Sequence, residues 1–209
     1  MIFYFKNLKL YKLKAKSYKL NRGMTYVELI VVLSIFSIMT SVVLFNYSKF
    51  EDKVNIKVLA NDIALKIVEA QKSSLSGELL PAGKLPTINP WKPAYGIYFN
   101  LSNNKNFVYF VDLNNNNSFD DSICTGECLN SITITKGDFV SRIDSYLAST
   151  PTQITNPLAI TFKRPDSRAI FKSNGLLLTG FDYIQITITS PSAKTAYIKI
   201  YPSGRIQKN

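Results

Sequence analysis

Gly23-Met24-Thr25-Tyr26-Val27-Glu28-Leu29 joins two stretches of opposite character. Before it, seven basic residues and no acidic one occupy positions 1 to 22; after it, an apolar run reaches Phe45, interrupted only by small hydroxyl residues. From Leu29 to Phe45 is 17 residues, which at about 1.5 Å each covers most of a hydrocarbon core of about 30 Å. A basic flank before an apolar span predicts a cytosolic N-terminal side, one crossing of the cytoplasmic membrane, and an extracytoplasmic destination for everything after residue 46. The apolar run is longer than that of a typical signal peptide, and no A-x-A cleavage site follows it. A plain single-span anchor, unprocessed at Gly23, is the other reading of the same segment.

Glu28 is the residue that an ordinary anchor does not explain. A carboxylate inside a bilayer costs roughly 2 to 4 kcal/mol unless something pairs with it, which makes it a functional-site candidate. Cleavage after Gly23 would free the α-amine of Met24, a cation at physiological pH about one helical turn from Glu28. Within one chain that pair is cramped. The amine of a neighbouring subunit is a better partner, and the cost of the buried carboxylate then becomes a preference for assembly in one register.

With Gly23 at the cut, Met24 first, Thr25 second, Glu28 fifth and Leu29 opening the apolar stretch, the junction resembles the class III leader of type IV pilins and pseudopilins. The resemblance implies a membrane prepilin peptidase that cleaves after Gly23 and methylates the amine of Met24, and a role for Glu28 in filament assembly. It also implies other pilin or pseudopilin subunits and the inner-membrane assembly machinery as partners. The stretch ending Glu69-Ala70-Gln71 and the closing Ile198-Lys199-Ile200-Tyr201-Pro202-Ser203-Gly204-Arg205-Ile206 resemble the H-type minor pseudopilins of type II secretion and their minor-pilin relatives. The implied function is a structural subunit of a type IV pilus or type II secretion filament. A DNA-binding minor pilin of a competence system is the alternative.

The chain of 209 residues carries 25 Lys or Arg against 14 Asp or Glu, a net charge of +11. Removing residues 1 to 23 takes away seven basic residues and no acid, leaving 18 against 14, a net of +4. Most of the basic excess therefore serves topology and is weak ground for nucleic-acid binding. With no His and two Cys, His-based triads and the usual His or Cys zinc sets are out of reach, which weighs against an enzyme and requires no cofactor.

Past the span, Glu51 to Ser74 holds neither Gly nor Pro, and Leu59, Ala60, Ile63, Ala64, Ile67, Val68 and Ala70 recur at helical spacing. Gly77 ends the helix, and Pro81, Gly83, Pro86, Pro90 and Pro93 break up the connection that follows. Strand patterns then cover Tyr95 to Asn100, Phe107 to Leu113, Ser131 to Thr135, Ala159 to Lys163, Ala169 to Lys172, Tyr183 to Thr189 and Thr195 to Tyr201. Ile184, Ile186 and Ile188 alternate with polar residues and define one buried face. The expected fold is α+β: a long N-terminal helix packed on a C-terminal antiparallel sheet domain. Its parts are a leader (1–23), the helix (24–76, spanning the membrane over about 24–46), a connection (77–94) and the sheet domain (95–209).

Three further groups are candidates for chemistry. Asp112, Asn114, Asn116 and Asp120 stand at positions 1, 3, 5 and 9 of a loop, the oxygen spacing of calcium loops, but Asn117 replaces the expected glycine and Ile123 the closing glutamate. Calcium binding and a plain Asx-rich turn both remain open. Cys124 and Cys128 are expected to form a disulfide on the oxidising side of the membrane, pinning a short loop. Lys199, Arg205 and Lys208 belong to the most basic stretch of the mature chain and are the candidate nucleic-acid contacts, against the commoner reading of a solvated strand face.

Overall fold

The computed structural model describes residues 23–89, 91–121 and 124–209; the basic leader and Ile123 lie outside the described residues. Helix α1 (Tyr26–Ser76) is 51 residues long. The chain divides into two compact units, one ending at Leu44 and the other running from Phe45 to Asn209.

In the first unit every described side chain is exposed, and α1 is long and apolar enough near its N-terminus to cross a membrane. The hydroxyls that interrupt the apolar run do not weaken it. Ser34, Ser37 and Thr40 donate to the carbonyls of Ile30, Leu33 and Phe36 at 2.7, 2.8 and 2.8 Å. Groups that would be costly in lipid are thus satisfied one turn back along the same helix.

In the second unit α1 packs on two antiparallel sheets, whereas the sequence pattern alone predicts one. The first joins β1 (Ala94–Phe99), β2 (Asn106–Val111), β3 (Cys128–Thr133), β6 (Leu158–Lys163), β7 (Asp166–Ser173) and β8 (Leu176–Leu177) in the order β3-β2-β1-β6-β7-β8. The second joins β4 (Phe139–Leu147), β5 (Thr150–Gln153), β9 (Tyr183–Thr189), β10 (Thr195–Ile200) and β11 (Ile206–Lys208) in the order β11-β10-β9-β4-β5. Ile56, Ile63 and Ile67 of α1, Tyr95, Ile97, Phe99 and Phe162 of the first sheet, and Ile143, Ile184, Ile186, Ile188 and Ile198 of the second form one core. Small Ala60, Ala64 and Ala70 are buried on the same helix face. Val68, expected on that face, is instead exposed, and Ile56 takes part in its place.

Two polar ties lock the end of α1 to the sheets. The buried hydroxyl of Ser74 donates to the carbonyls of Phe162 (2.7 Å) and Pro93 (3.3 Å). Gln71 donates to the carbonyls of Ser167 (2.9 Å) and Gly204 (3.2 Å). A Cβ at Gly204, whose φ is +84°, would stand 2.1 Å from the Ser167 oxygen and 2.5 Å from Gln71 Nε2, so only glycine lets the C-terminal turn approach the helix.

Candidate functional site

Gly23 and Met24 are exposed and precede the helix, and no side chain crowds Gly23 within 4 Å of where a Cβ would lie. Thr25 and Glu28 then form a reciprocal cap. The Glu28 amide donates to Thr25 Oγ1 at 3.3 Å, and the Thr25 amide donates to a Glu28 carboxylate oxygen at 3.4 Å. This is the capping box, in which two N–H groups with no partner in the helix are satisfied by side chains. The carboxylate also stands at the positive end of the helix dipole. Glu28 therefore has local partners of its own, and removal of residues 1 to 23 leaves both of them in place.

The second site is the loop from Asp112 to Cys128. It folds back over the outer face of the first sheet, where Phe119 packs on Tyr98 and Phe110 with ring centres 4.8 and 5.3 Å away. Thr161 donates to the Asn117 carbonyl at 3.3 Å and Lys172 to the Asn116 carbonyl at 2.6 Å, which ties the loop to β6 and β7. The cover explains why β1 is buried along almost its whole length. It also explains Gly96: a Cβ there would meet the Phe110 ring at 2.8 Å and the Ile160 carbonyl at 2.6 Å.

The loop brings Asp112, Asn114, Asn116 and Asp120 together, and their oxygens hold the chain. Asp112, fully buried, accepts from the amides of Asn116 (3.2 Å) and Asn117 (2.7 Å). Asn114 accepts from the Asn116 amide at 3.0 Å and Asn116 from the Ser118 amide at 2.7 Å. The Asp120 carboxylate accepts from the side-chain amides of Asn114, at 2.8 Å, and Asn116. Asn115 and Asn117 both adopt φ of 59°, the left-handed conformation that Asn tolerates better than most residues.

Glu127 completes the arrangement from the far end of the loop. It is buried, and its two oxygens accept from the amides of Leu113 (3.1 Å) and Asp120 (3.0 Å). Burial pushes the carboxyls of Asp112 and Glu127 above the ordinary carboxylate range; the amide hydrogen bonds pull them back in part, and at Glu127 the charges of Asp112 and Asp120 add to the rise. The donors are all oxygens, the chemistry a hard cation such as calcium takes, and Asn115 Oδ1 and Asn117 Oδ1 are buried without a hydrogen-bond partner. Among the described residues no three His, Cys, Asp or Glu side chains converge closely enough to hold a metal ion. In this arrangement the loop is an Asx-turn cage whose oxygens serve its own amides.

No family model, curated protein or solved structure matches this chain.

Cys124 and Cys128 are bonded to each other with their Cα atoms 4.6 Å apart, closing the segment that carries Glu127. Lys84 reaches this segment as well, donating to the carbonyls of Thr125, at 3.3 Å, and Gly126. Of the three candidate nucleic-acid contacts, Lys199 and Arg205 stand over neighbouring tyrosine rings and Lys208 is tied to the helix. Lys199 lies 4.6 Å above the Tyr183 ring and Arg205 3.8 Å above the Tyr201 ring, while Lys208 is engaged with Asn61 on α1. Tyr146 stacks on Tyr183 with ring centres 4.8 Å apart, and Tyr201 lies tilted against Tyr183 at 5.4 Å.

Reading the sequence missed two features. One is the Thr25–Glu28 cap, whose signal, T-x-x-E before an apolar run, was present in the chain. The other is Glu127. It stands fifteen positions beyond Asp112, outside the twelve-residue frame of a calcium loop, within the segment that the Cys124–Cys128 bond closes.

Proposed function

We propose that this chain is a structural subunit, of the minor pilin or pseudopilin kind, anchored in the cytoplasmic membrane by α1, cleaved after Gly23 and assembled into a type IV pilus or type II secretion filament. One observation carries the reading: an exposed Gly23-Met24 step runs straight into a Thr25–Glu28 cap at the head of an apolar helix, and that helix continues to Ser76. A plain anchor needs neither a cuttable glycine nor a carboxylate at that position. Cleavage there releases the Met24 amine, a cation for the Glu28 of an adjacent copy. The α+β architecture supports the reading at the coarser level, with a helix that supplies the filament core and sheets that supply the exposed surface. The basic leader keeps the N-terminus cytosolic and sends the sheet unit across the membrane. No catalysis is required of it.

The competence reading, in which the C-terminal strands hold DNA, draws less support because Lys199, Arg205 and Lys208 are each engaged by a side chain of the same fold. The test of the leading reading is N-terminal mass spectrometry of the membrane-extracted protein from cells that possess a prepilin peptidase. The expected product begins at methylated Met24. An intact precursor as the only form would leave the plain-anchor reading in its place.

A further inference from the structure

A groove of about 940 Å³ runs along β7, a volume near the top of the range of ligand sites, about 300 to 1,000 Å³. Strand β8 is only two residues long and covers β7 at Lys172 and Ser173 alone, so the part of β7 before them lines the groove. The segment after β8 and the turn after β10 wall it: the Leu178 amide donates to the Phe171 carbonyl at 2.9 Å and the Ala169 amide to the Pro202 carbonyl at 3.0 Å. Between Asp166 and Phe171 it follows extended chain for about 16 Å, at about 3.3 Å per residue. Its two ends differ in chemistry. At the Phe171 end, Leu177 is 58 % exposed beside half-buried Leu178 and Phe181, and the Phe181 ring stands edge-on to buried Phe171 at 5.3 Å. At the Asp166 end, three cations gather where β1 begins and β6 finishes. Lys163 lies opposite Ala94 across the strands, the Arg164 amide donates to the Pro93 carbonyl at 3.5 Å, and Lys92 precedes Pro93.

We propose that this groove binds an extended acidic peptide of another protein, with apolar side chains of the peptide against Leu177 and Phe181 and its carboxylates on Lys92, Lys163 and Arg164. Charge complementarity carries the choice. Among the described residues none of these three cations forms an ion pair, although Lys163 acts on buried Asp112 from a distance. The two carboxylates that line the groove are occupied within the fold. Asp166 accepts from the Arg168 amide at 3.0 Å and pairs with its guanidinium, and Asp182 accepts from the Ala148 amide at 2.9 Å. An anion entering the groove therefore meets cations that nothing else neutralises. The shape calls for a chain in extended form, whose side chains can reach a charged end and an apolar end at once. A nucleic-acid strand would need open ring faces on which to stack its bases. The groove has no Tyr or Trp in its lining, and its two phenylalanines are packed on each other. The inference stands apart from cleavage at Gly23 and from filament assembly.

Fluorescence anisotropy on the full chain in phosphatidylcholine nanodiscs tests this. Two labelled hexapeptides, Leu-Phe-Leu-Asp-Glu-Asp and its reverse, cover both chain directions, and one of them is expected to bind saturably. Its counterpart with Asn and Gln in place of the acids should bind far more weakly. Lys92→Glu at the cationic end and Leu177→Asp at the apolar end should each weaken binding about tenfold. Both side chains are exposed, so the variants should keep the circular dichroism of the wild type. Lys194→Glu in the β9–β10 turn makes the same change of charge away from the groove and should leave binding as it was. Four results would overturn the proposal: no saturable binding of either peptide, equal binding of the uncharged counterpart, equal weakening by Lys194→Glu, or binding indifferent to Leu177→Asp. If oligothymidylate displaced the peptide and its own binding ignored Leu177→Asp, the cations would be a site for phosphates and the peptide reading would fall.

Discussion

Glu28 forms a helix cap and, in the proposed filament, offers a charge, two roles that a pair of substitutions can separate. As the last residue of a capping box it satisfies the Thr25 amide, and it accepts that hydrogen bond through a side-chain oxygen that a glutamine also possesses. As a negative charge it is the proposed partner of a neighbouring Met24 amine, which a glutamine cannot replace. Glu28→Gln should therefore leave the helix start intact, with cleavage after Gly23 unimpaired, yet reduce incorporation into filaments by an order of magnitude. Glu28→Leu loses the cap as well, a cost of about 1 kcal/mol at the helix end. If Glu28→Gln assembles as well as wild type, as read by the sheared filament fraction, the carboxylate is a cap and nothing more.

At the scale of the element, the Asp112–Cys128 loop is governed by two buried carboxyls whose affinity for protons is raised by desolvation. Asp138 is shifted in the same direction, mainly by burial and further by Asp52. A carboxyl whose folded pKa lies above its unfolded value contributes stability that is fully present below the unfolded value, about 4, and lost as pH rises through the folded one. Residues 45–209 in chelator should accordingly melt at a higher temperature near pH 5 than near pH 8. Glu127→Gln, which does not titrate, should flatten the profile in that window. Calcium, if the Asp112, Asn114, Asn116, Asp120 and Glu127 oxygens turn toward it, works in the opposite sense, since it binds the charged carboxylates and raises the melting temperature most at the higher pH. Identical curves with calcium and with chelator at pH 8 would discard calcium; a pH profile unchanged by Glu127→Gln would discard the desolvated carboxyl as its cause.

The same elements show what the sequence could and could not display. Ile184, Ile186 and Ile188 were legible because β9 keeps strict alternation, and all three are fully buried. Strand β4 was not, because a bulge between Val140 and Arg142 shifts its register against β9 and breaks the period of two on which such reading depends. Its buried Asp144, paired with Arg142 at 2.6 Å, further disguised it as a loop. Strands β5, β8 and β11 are too short, or too polar, to carry a pattern of their own. For the loop, oxygen spacing located Asp112, Asn114, Asn116 and Asp120, but the frame used for counting ended before Glu127. The apolar start of α1 was the most legible part, because span length is a local property of the sequence.

At the scale of the whole molecule, α1 in the proposed reading serves a membrane with one part and a sheet core with another. The second demand is large. Ile56, Ile63 and Ile67 are essentially inaccessible, and burying an aliphatic side chain of that size contributes about 1.5 to 3 kcal/mol each. Their sum is comparable with the entire stability of an ordinary domain, about 5 to 15 kcal/mol. Stripping the helix away would also expose the faces of both sheets that it covers. A fragment spanning residues 45–209, which keeps the buried face of α1, should be soluble and unfold in one cooperative transition followed by circular dichroism. A fragment spanning residues 77–209 retains every strand and should show no cooperative transition, aggregating through its uncovered core. If the shorter fragment melted as sharply as the longer one, α1 would be a tether to the membrane with no part in the fold, and a single helix shared between span and core, which the proposed filament requires, would lose its physical basis.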